Sequence, residues 1–428
     1  MPTPSLLIVP ARFKTGKLYS QIPTSGAGDF TVTRNTEARR FNSAGLIESV
    51  ASGIPRLDYL TSGGTAGCPA LLVEPAATNG ILNSTDTTTS WTLGANLTSG
   101  AIDVIGVSGN NLTVAVSGSG IGSAAGRFVR FNNNVALASG STYTVSFLMK
   151  KTGAHTIGGY QLTMSSGVVG SGFDVSGSFA SGSNVDTAPT TNRIRRIERF
   201  GTDVFRCSET FTMTAAATGT HLAFGTVSAV SVSTNSAVGT TMGFAAPQLE
   251  LGSVPTSFIP TTAGTGSRSA DVISVSGAVS GSIGQTEGTL YAEIVAQPYN
   301  GASFPAILQV DDGADSQRFA IFINPSGGIR IRLNASGVNT NLDSVSPSVL
   351  VAGQTYKIAA AFGFNGSQAL YINGVFQISG SVTAGPFTAA LNRVMLGHRG
   401  GISSPFLIRA AALYTTRLTN AELATLTT

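Results

Sequence analysis

The chain has 428 residues, of which only 11% are charged, and its formal net charge at pH 7 is +4. A chain of this length exceeds what one hydrophobic core usually serves, so we expect two or three domains. The 42% content of hydrophobic residues excludes a disordered protein. The small, dispersed positive charge argues against a nucleic-acid groove. The apolar run at residues 6–9 is too short for a secretory signal and no stretch reaches transmembrane length, so we expect no membrane insertion.

Residues 1–79 have many breakers and only weak strand patterns. Gly26, Gly28, Gly63 and Gly64 interrupt short apolar runs, and a segment of this kind rarely folds alone. We therefore predict an irregular anchor that gains order by docking onto another protein.

Residues 80–260 show repeated apolar alternation with turn signals between the runs. Residues 142–149 alternate with period two, and residues 195–212 read as two strands around a turn at residues 201–203. Many short antiparallel strands without helices favour a β-sandwich or jelly roll.

Residues 261–284 have the small-residue composition of a linker, and a second β block follows at residues 285–428. In that block Asn373-Gly374 lies between apolar alternations, which predicts a β-hairpin. Thr419 and Glu422 have the spacing of a capping box, which predicts a short terminal helix packed on the sandwich. The predicted fold class is all-β, with two β-sandwich or jelly-roll domains after the irregular N-terminal segment.

Two distant parts of the sequence carry a resemblance to a known class of protein. Residues 45–59 with 71–75, and residues 246–260 with 268–271, resemble parts of tailed-phage virion proteins, the fibres and spikes that carry carbohydrate-binding-module-like domains. Residues 285–428 resemble a laminin-G-like, concanavalin-type jelly roll.

This resemblance implies a protein made in the host cytoplasm and assembled into the virion. Residues 1–79 would attach it to a capsid, portal or tail protein, the β domains would bind host-surface polysaccharide, and the assembly would be a homotrimer. A head-fibre or decoration protein without an essential receptor role is one alternative. A polysaccharide-degrading tailspike enzyme is the other.

The sequence offers no catalytic constellation. The three histidines, His155, His221 and His398, are scattered over two predicted domains, and no nucleophile elbow or helical metal-binding pair is present. A glycosidase needs two carboxylates across a cleft, and no such pair can be identified without the fold. We therefore expect a protein that is not an enzyme and needs no cofactor, with a calcium site as the one alternative.

Aromatic and basic side chains in predicted loops and strands are candidates for glycan contacts. Sugar recognition stacks an aromatic ring on a pyranose, and the candidates are Trp91, Tyr160 and Tyr299. Core packing is the alternative for Trp91, the single tryptophan. The basic run with Arg193, Arg195, Arg196 and Arg199 predicts either a solvated strand face or a contact with an anionic group.

Two groups of charged residues complete the candidates. Asp311, Asp312 and Asp315 predict either a hairpin turn or a calcium site that uses their oxygens. Charged residues near the N-terminus predict either ordinary solvated charge or salt-bridged docking to a virion partner. These anchor candidates are Arg34, Arg39, Arg40, Arg56, Asp58 and Glu74.

Overall fold

The computed structural model describes most of the chain. The described residues are 2–60, 66–85, 91–92, 97–101, 104, 106, 112–116, 129–176, 180–183, 187–227, 241–299, 301, 303–364 and 366–428. Within them the regular structure is dominated by antiparallel strands and helix is confined to short segments, which confirms the predicted all-β class.

The strands fall into three consecutive groups. The first group is β1 (Leu6–Ile8), β2 (Phe13–Lys14), β3 (Lys17–Leu18), β4 (Phe30–Thr33), β5 (Ala38–Phe41), β6 (Ile47–Val50), β7 (Arg56–Leu60), β8 (Ala66–Val73) and β9 (Ala77–Asn79). The second is β10 (Trp91–Thr92), β11 (Leu97–Ala101), β12 (Leu112–Val116), β13 (Val129–Leu137), β14 (Thr142–Lys151), β15 (Ile157–Met164), β16 (Gly167–Asp174), β17 (Ser181–Ser183), β18 (Thr190–Arg199), β19 (Val204–Met213), β20 (Ala217–Thr226) and β21 (Thr241–Leu251).

The third group completes the chain and carries its helical turns. It is β22 (Gly266–Arg268), β23 (Val272–Ser276), β24 (Glu287–Val295), β25 (Ala306–Asp311), β26 (Arg318–Ile323), β27 (Ile329–Ala335), β28 (Val338–Asp343), β29 (Thr355–Gly363), β30 (Ser367–Ile372), β31 (Val375–Ser381), β32 (Arg393–Leu396), β33 (His398–Arg399), β34 (Ile402–Ser403) and β35 (Phe406–Tyr414). A 3-10 helix lies at Ala278–Ser282 and helix α1 at Asn420–Leu426. In the described part of the chain, no helix has the length and apolar character needed to span a membrane.

The first and third groups together build one jelly roll of two facing sheets. One sheet has the order β31-β30-β29-β24-β35-β8-β7, with β1 also paired to β35, and the other has the order β2-β3-β4-β23-β32-β25-β26-β27-β28. Alternate side chains of both sheets point inward, as in β27, where Ile329, Ile331 and Leu333 are buried and the residues between them are not. They meet in one hydrophobic core.

The prediction that residues 1–79 form an irregular anchor ordered by docking onto another protein is wrong, because the segment is ordered by strands of its own chain. Strand β1 pairs with β35, strand β4 pairs with β23, and strand β8 pairs with β35, so the segment lies inside both sheets. Eight of its apolar side chains belong to the jelly-roll core: Leu6, Ile8, Leu18, Phe30, Val32, Leu57, Leu71 and Val73. Its partners lie some 240 to 400 residues away in sequence, which is why no local pattern reveals them.

The boundaries around the predicted linker at 261–284 are also corrected. Strand β22 pairs with β9, and strand β23 lies between β4 and β32 in the nine-stranded sheet. The jelly roll therefore begins again near residue 266 and also contains residues before 80, instead of being confined to 285–428.

The second group of strands is a sandwich inserted into this jelly roll. Its sheets have the orders β10-β13-β20-β15-β16-β17 and β11-β12-β21-β14-β19-β18, all within the predicted 80–260 body. Phe147 lies at the centre of its core, with the rings of Phe224 and Phe173 4.7 and 5.8 Å away between centroids. Strand β14 and the turn between β18 and β19 lie where the sequence predicts them.

Two further local predictions are confirmed in the jelly roll. Asn373 and Gly374 both have positive φ, at 49° and 78°, and join β30 to β31. Thr419 caps α1 through a reciprocal capping box with Glu422, and Leu423 of that helix is fully buried.

The two domains meet along a packed junction. The β5–β6 hairpin places Phe41 against Phe200 of the sandwich, with ring centroids 4.8 Å apart, and Leu148 and Ala246 belong to the same buried cluster. Strands β9 and β22, where the chain leaves and re-enters the jelly roll, lie side by side. The inserted sandwich is therefore held by a hydrophobic contact as well as by its two connections.

Candidate functional site

A buried ionic cluster lies where the two connections meet. We call it the ionic clasp: Arg34, Arg56, Glu74, Arg268 and Asp271. The guanidinium of Arg56 donates to Glu74 at 2.7 Å and also to Asp271, while Arg34 reaches Asp271 at 3.0 Å and Arg268 reaches Glu74 at 3.2 Å. All five side chains are at most 4% exposed. Buried charges of this kind are stable only when paired and hydrogen-bonded, and each of these five is paired, although Arg56 Nε and Arg268 Nε have no hydrogen-bond partner among the described residues.

The clasp holds the Glu74 carboxylate in its charged form. Burial alone would raise the pKa of Glu74, but Arg268, Arg56 and the hydroxyl of Ser257 together lower that pKa from its ordinary 4.5 to about 2. The Ser257 backbone N–H also donates to Glu74, at 2.7 Å. Glu74 is thus ionised at any ordinary pH, and it joins the N-terminal strands to the chain that returns from the sandwich.

The predicted docking role of the anchor residues must be corrected accordingly. Arg34, Arg56, Asp58 and Glu74 are buried inside the protein and cannot present charge to a separate partner. Only Arg39 and Arg40 remain near the surface, where they pair with Glu37 at 3.1 Å and Glu48 at 2.7 Å.

A second buried cluster explains part of the basic run on β18. Arg193 and Arg195 reach Glu209, at 2.5 and 3.2 Å, and Tyr160 donates its hydroxyl to the same carboxylate at 2.7 Å. Tyr160 is 0% exposed and packs against Phe147, so its predicted role as a sugar platform is wrong. Burial and the Glu209 charge raise the pKa of Tyr160 well above its usual range.

The other two aromatic candidates are Tyr299 and Trp91. Tyr299 is half-buried against the jelly-roll core and donates its hydroxyl to the Ser303 carbonyl, and its glycan contact stays a prediction. For Trp91 the structure describes only the backbone, opposite Phe131 in β13. The side chain of Trp91 lies outside the described part, and its glycan contact stays a prediction.

The aspartates after β25 belong to a tight turn. Asp311 is buried against Arg393 at 2.8 Å, and Asp315 pairs with Arg318 at 2.6 Å. Asp312 is partly buried, but its bonds from the Ser316 hydroxyl and from three backbone amides lower its pKa. Among the residues that the structure describes, no group of three or more His, Cys, Asp or Glu could hold a metal ion. The turn interpretation fits this geometry, and the three carboxylates do not converge on a calcium site.

The outer side of the nine-stranded sheet carries a group of mainly polar and arginine side chains, of which Gln309, Asp311 and Phe322 are buried. Residues that alternate with the core positions of β25 to β28 and β32 form rows across the strands, one of which runs Gln309, Ala320, Arg332, Asn341. We call this surface the arginine face. Its members are Gln309, Asp311, Arg318, Phe322, Arg330, Arg332, Asn334, Asn339, Asn341, Asp343 and Arg393, with Arg399 contributed by the β33–β34 hairpin.

Arginine outnumbers carboxylate on this face. Arg330 pairs with Asp343, and Arg393, Arg318 and Arg399 pair with Asp311 or Asp315. No carboxylate of the described residues lies within ion-pair distance of Arg332. Its guanidinium donates to the Asn341 side chain at 2.6 Å and lies 5.3 and 5.7 Å from the ring centres of Phe304 and Phe322.

The electrostatic environment of Arg332 favours an anion. Burial lowers the pKa of Arg332, and the positive charges of Arg318, Arg330 and Arg399 lower it further. A negatively charged or strongly accepting ligand group would relieve this repulsion, and the half-buried guanidinium is open enough to reach it. Exposed Asn339 and Asn341 add planar donors and acceptors beside it.

Three buried polar atoms of the arginine face have no protein hydrogen-bond partner among the described residues. They are Gln309 Oε1, Arg318 Nε and Asn334 Oδ1. These residues lie on three adjacent strands, and Arg318 is directly opposite Asn334. Buried polar groups are nearly always satisfied, so this cluster indicates a place where water or a ligand group completes the bonding.

Arg330 and Arg332 are not among the candidates predicted from the sequence. The signal was available, because a strand with Ile329, Ile331 and Leu333 inside must place its two arginines together outside. The order of the neighbouring strands sets the partners of these arginines, and no local signal in the sequence indicates that order.

A family comparison agrees with the fold of this domain. Residues 272–424 match the family model described as the Concanavalin A-like lectin/glucanases superfamily. They therefore form a laminin-G-like, concanavalin-type domain, which confirms the likeness predicted for residues 285–428. No curated protein matches the chain.

Solved structures with local similarity include the following three. The CBM40 of a Ruminococcus gnavus sialidase bound to α2,3-sialyllactose is 23% identical, covers 34% of this chain and 84% of that chain, and has a TM-score of 0.29. Domain 4 of AbnA, a Geobacillus stearothermophilus GH43 arabinanase in complex with arabinotriose, is 21% identical. The match covers 37% of this chain and 73% of that chain, with a TM-score of 0.29. The receptor-binding domain of botulinum neurotoxin C/D mosaic serotype is 16% identical. The match covers 36% of this chain and 40% of that chain, with a TM-score of 0.31. TM-scores this low indicate neither a ligand nor a role for this chain.

Proposed function

We propose that the protein is a carbohydrate-binding adhesin and that the arginine face of its jelly roll binds the glycan. The observation that carries this proposal is Arg332, a half-buried guanidinium without a carboxylate partner in the described part, beside exposed Asn339 and Asn341 on a concanavalin-type sheet. Planar amide and guanidinium groups suit the paired hydroxyls of a sugar.

The geometry of this face supports binding instead of hydrolysis. A glycosidase needs one carboxylate that can hold a proton and a second that is free to act as base or nucleophile. Asp311, Asp315 and Asp343 each face an arginine at 2.8 Å or less, so none of the three is free for either role. A polysaccharide-degrading enzyme is the second candidate, and release of new reducing ends from host polysaccharide would establish it.

The biological setting that we propose is a virion fibre or spike, with a homotrimeric assembly. This rests on the resemblance of residues 45–59, 71–75 and 246–260 to tailed-phage virion proteins. A head-fibre protein without an essential receptor role is the alternative setting. Labelled particles viewed by cryo-electron microscopy would distinguish head from tail, and light scattering of the purified chain would test the trimer.

Glycan binding is tested with one pair of matched variants. Arg332→Gln removes the unpaired guanidinium and keeps an amide near Asn341, while Lys14→Gln removes one exposed charge on β2, away from the face. We expect the full-length protein to be retained on host-surface polysaccharide, Arg332→Gln to lose most retention and Lys14→Gln to keep it. Equal retention of both variants, with unchanged thermal midpoints, would place the glycan elsewhere. No retention of the wild type would end the proposal.

A further inference from the structure

A cleft of about 420 Å³ lies between the inserted sandwich and the jelly roll. This volume falls within the range of small-ligand sites, which often occur at domain junctions. The sandwich wall is formed by β18, β19 and the turn between them, and the jelly-roll wall by the chain after β24 and before β29. The described lining residues are Arg196, Ile197, Glu198, Arg199, Phe200, Arg206, Val295, Ala296, Gln297, Pro298, Val351, Ala352, Gly353 and Leu407.

The two walls differ sharply in charge. The sandwich wall presents Arg196, Arg199, Arg206 and a single carboxylate, Glu198. Glu198 is already engaged, because Arg206 donates to it at 2.7 Å. The jelly-roll wall has no charged side chain among its described lining residues. The lining therefore has two positive charges more than negative ones, with no acid facing them across the cleft.

Arg196 is the least compensated of these groups. Its Nη1 atom is buried and has no hydrogen-bond partner in the described part of the protein. Burial lowers the pKa of Arg196. The nearby negative charge of Glu198 raises this pKa, and the positive charge of Arg206 lowers it. Within the described part of the chain, Arg199 donates to carbonyl groups of its own turn, those of Gly201 and Thr202, at 3.0 and 3.1 Å.

Apolar side chains surround this charge. Ile197 and Phe200 lie on the sandwich side, while Val295, Val351 and Leu407 lie on the jelly-roll side, with Gln297 as a neutral polar group. A ligand in the cleft would contact guanidinium groups on one wall and mainly aliphatic surface on the other. That combination suits a compact molecule with one anionic group and a partly apolar body.

We propose that this cleft is a second binding site, independent of the arginine face, that takes a small anionic ligand through Arg196 and Arg199. The anionic group is a carboxylate, as in an acidic sugar, or a phosphate, and both accept from guanidinium in the same way. Bound there, the ligand contacts both domains and thereby stabilises their junction.

Isothermal titration of the full-length protein with galacturonate, galactose and inorganic phosphate tests this site. Galacturonate and galactose differ in the carboxylate, so the pair isolates the charge. We expect the wild type to bind galacturonate or phosphate and not galactose. Tighter binding of galacturonate would indicate an acidic sugar, and tighter binding of phosphate would indicate a phosphorylated ligand.

Three variants locate the binding. Arg196→Gln should weaken anion binding by about tenfold or more, the size expected for losing a hydrogen bond between charged groups. Arg199→Gln, at an exposed position, should weaken it less and serves if Arg196→Gln fails to fold. Lys14→Gln removes an exposed charge on β2, outside both proposed sites, and should leave anion binding unchanged.

Several results would overturn the proposal. These are equal anion affinity in wild type, Arg196→Gln and Arg199→Gln, equal binding of galactose and galacturonate, or no binding of either anion to the wild type. Loss of anion binding in Arg332→Gln alone would move the site to the arginine face. None of these outcomes depends on whether host polysaccharide is retained, so the two proposals fail separately.

Discussion

Replacing Glu74 by Gln tests the ionic clasp, because glutamine has nearly the shape of a protonated glutamate. The substitution removes the charge that Arg56 and Arg268 meet at 2.7 and 3.2 Å inside the protein. A fall in the pKa of Glu74 from 4.5 to about 2 corresponds to about 3 kcal/mol of folding free energy. This agrees with the cost of about 3–5 kcal/mol for breaking a buried ion pair.

The direction of the Glu74 pKa shift determines how this stabilisation depends on pH. The folded-state pKa of Glu74 is lower than the unfolded one, so its stabilisation is complete above about pH 5 and disappears as the pH falls from 4.5 towards 2. Urea denaturation at several pH values should therefore show Glu74→Gln about 3 kcal/mol less stable than wild type at pH 7. The two proteins should converge in acid, since the protonated glutamate of the wild type and the glutamine of the variant are both neutral and nearly equal in shape.

The matched control is Glu48→Gln, which breaks the Arg40 pair at 2.7 Å. The side chains of Arg40 and Glu48 are 18% and 35% exposed, so we expect Glu48→Gln to lower the free energy of unfolding by less than about 1 kcal/mol. The reasoning would be refuted if Glu74→Gln cost no more than Glu48→Gln at pH 7, or if its deficit stayed constant down to pH 3.

Three further predictions follow from the same structure. Tyr160→Phe should cost about 1–2 kcal/mol in urea denaturation, because Glu209 loses a buried donor, and should leave glycan retention unchanged. Deletion of residues 2–79 removes eight core side chains at about 1.5–3 kcal/mol each, about 12–24 kcal/mol in total, which matches or exceeds the roughly 5–15 kcal/mol that stabilises a typical domain. Calorimetry of the 80–428 fragment should show no cooperative jelly-roll transition, and two intact transitions would contradict the shared core. Excess chelator should leave the thermal midpoint unchanged, because Asp311 and Asp315 already face Arg393 and Arg318, whereas a drop reversed by calcium would restore the calcium site.

The features that were predictable from sequence are those set by neighbours in the chain. The Asn373-Gly374 hairpin needs two residues that accept positive φ, and the Thr419 cap needs a glutamate three residues later. Strand β14 needs only its own alternation. Each signal is complete within about ten residues, and each is confirmed.

The position of the N-terminal segment was not predictable in this way. Its strands have two to eight residues and pair with β23 and β35, far along the chain, so breakers between them dominate the local pattern. One signal did exist. In a chain with so few charges, Arg34, Arg56 and Glu74 before the sandwich are complementary to Arg268 and Asp271 after it. That complementarity could have indicated pairing within the chain instead of docking to a partner.

The clasp also changes the meaning of the resemblance to virion proteins. The residues that carry the resemblance include Arg56 and Glu74 on one side of the sandwich and Ser257 on the other, and in the folded protein these three are in direct contact. The resembling segments thus share a junction that inserts one β domain into another, which is a structural requirement and not an attachment surface. Phe200 extends this junction to the cleft, because it packs on Phe41 on one side and lines the cleft on the other. Since the cleft walls belong to different domains, its shape depends on the clasp holding them together.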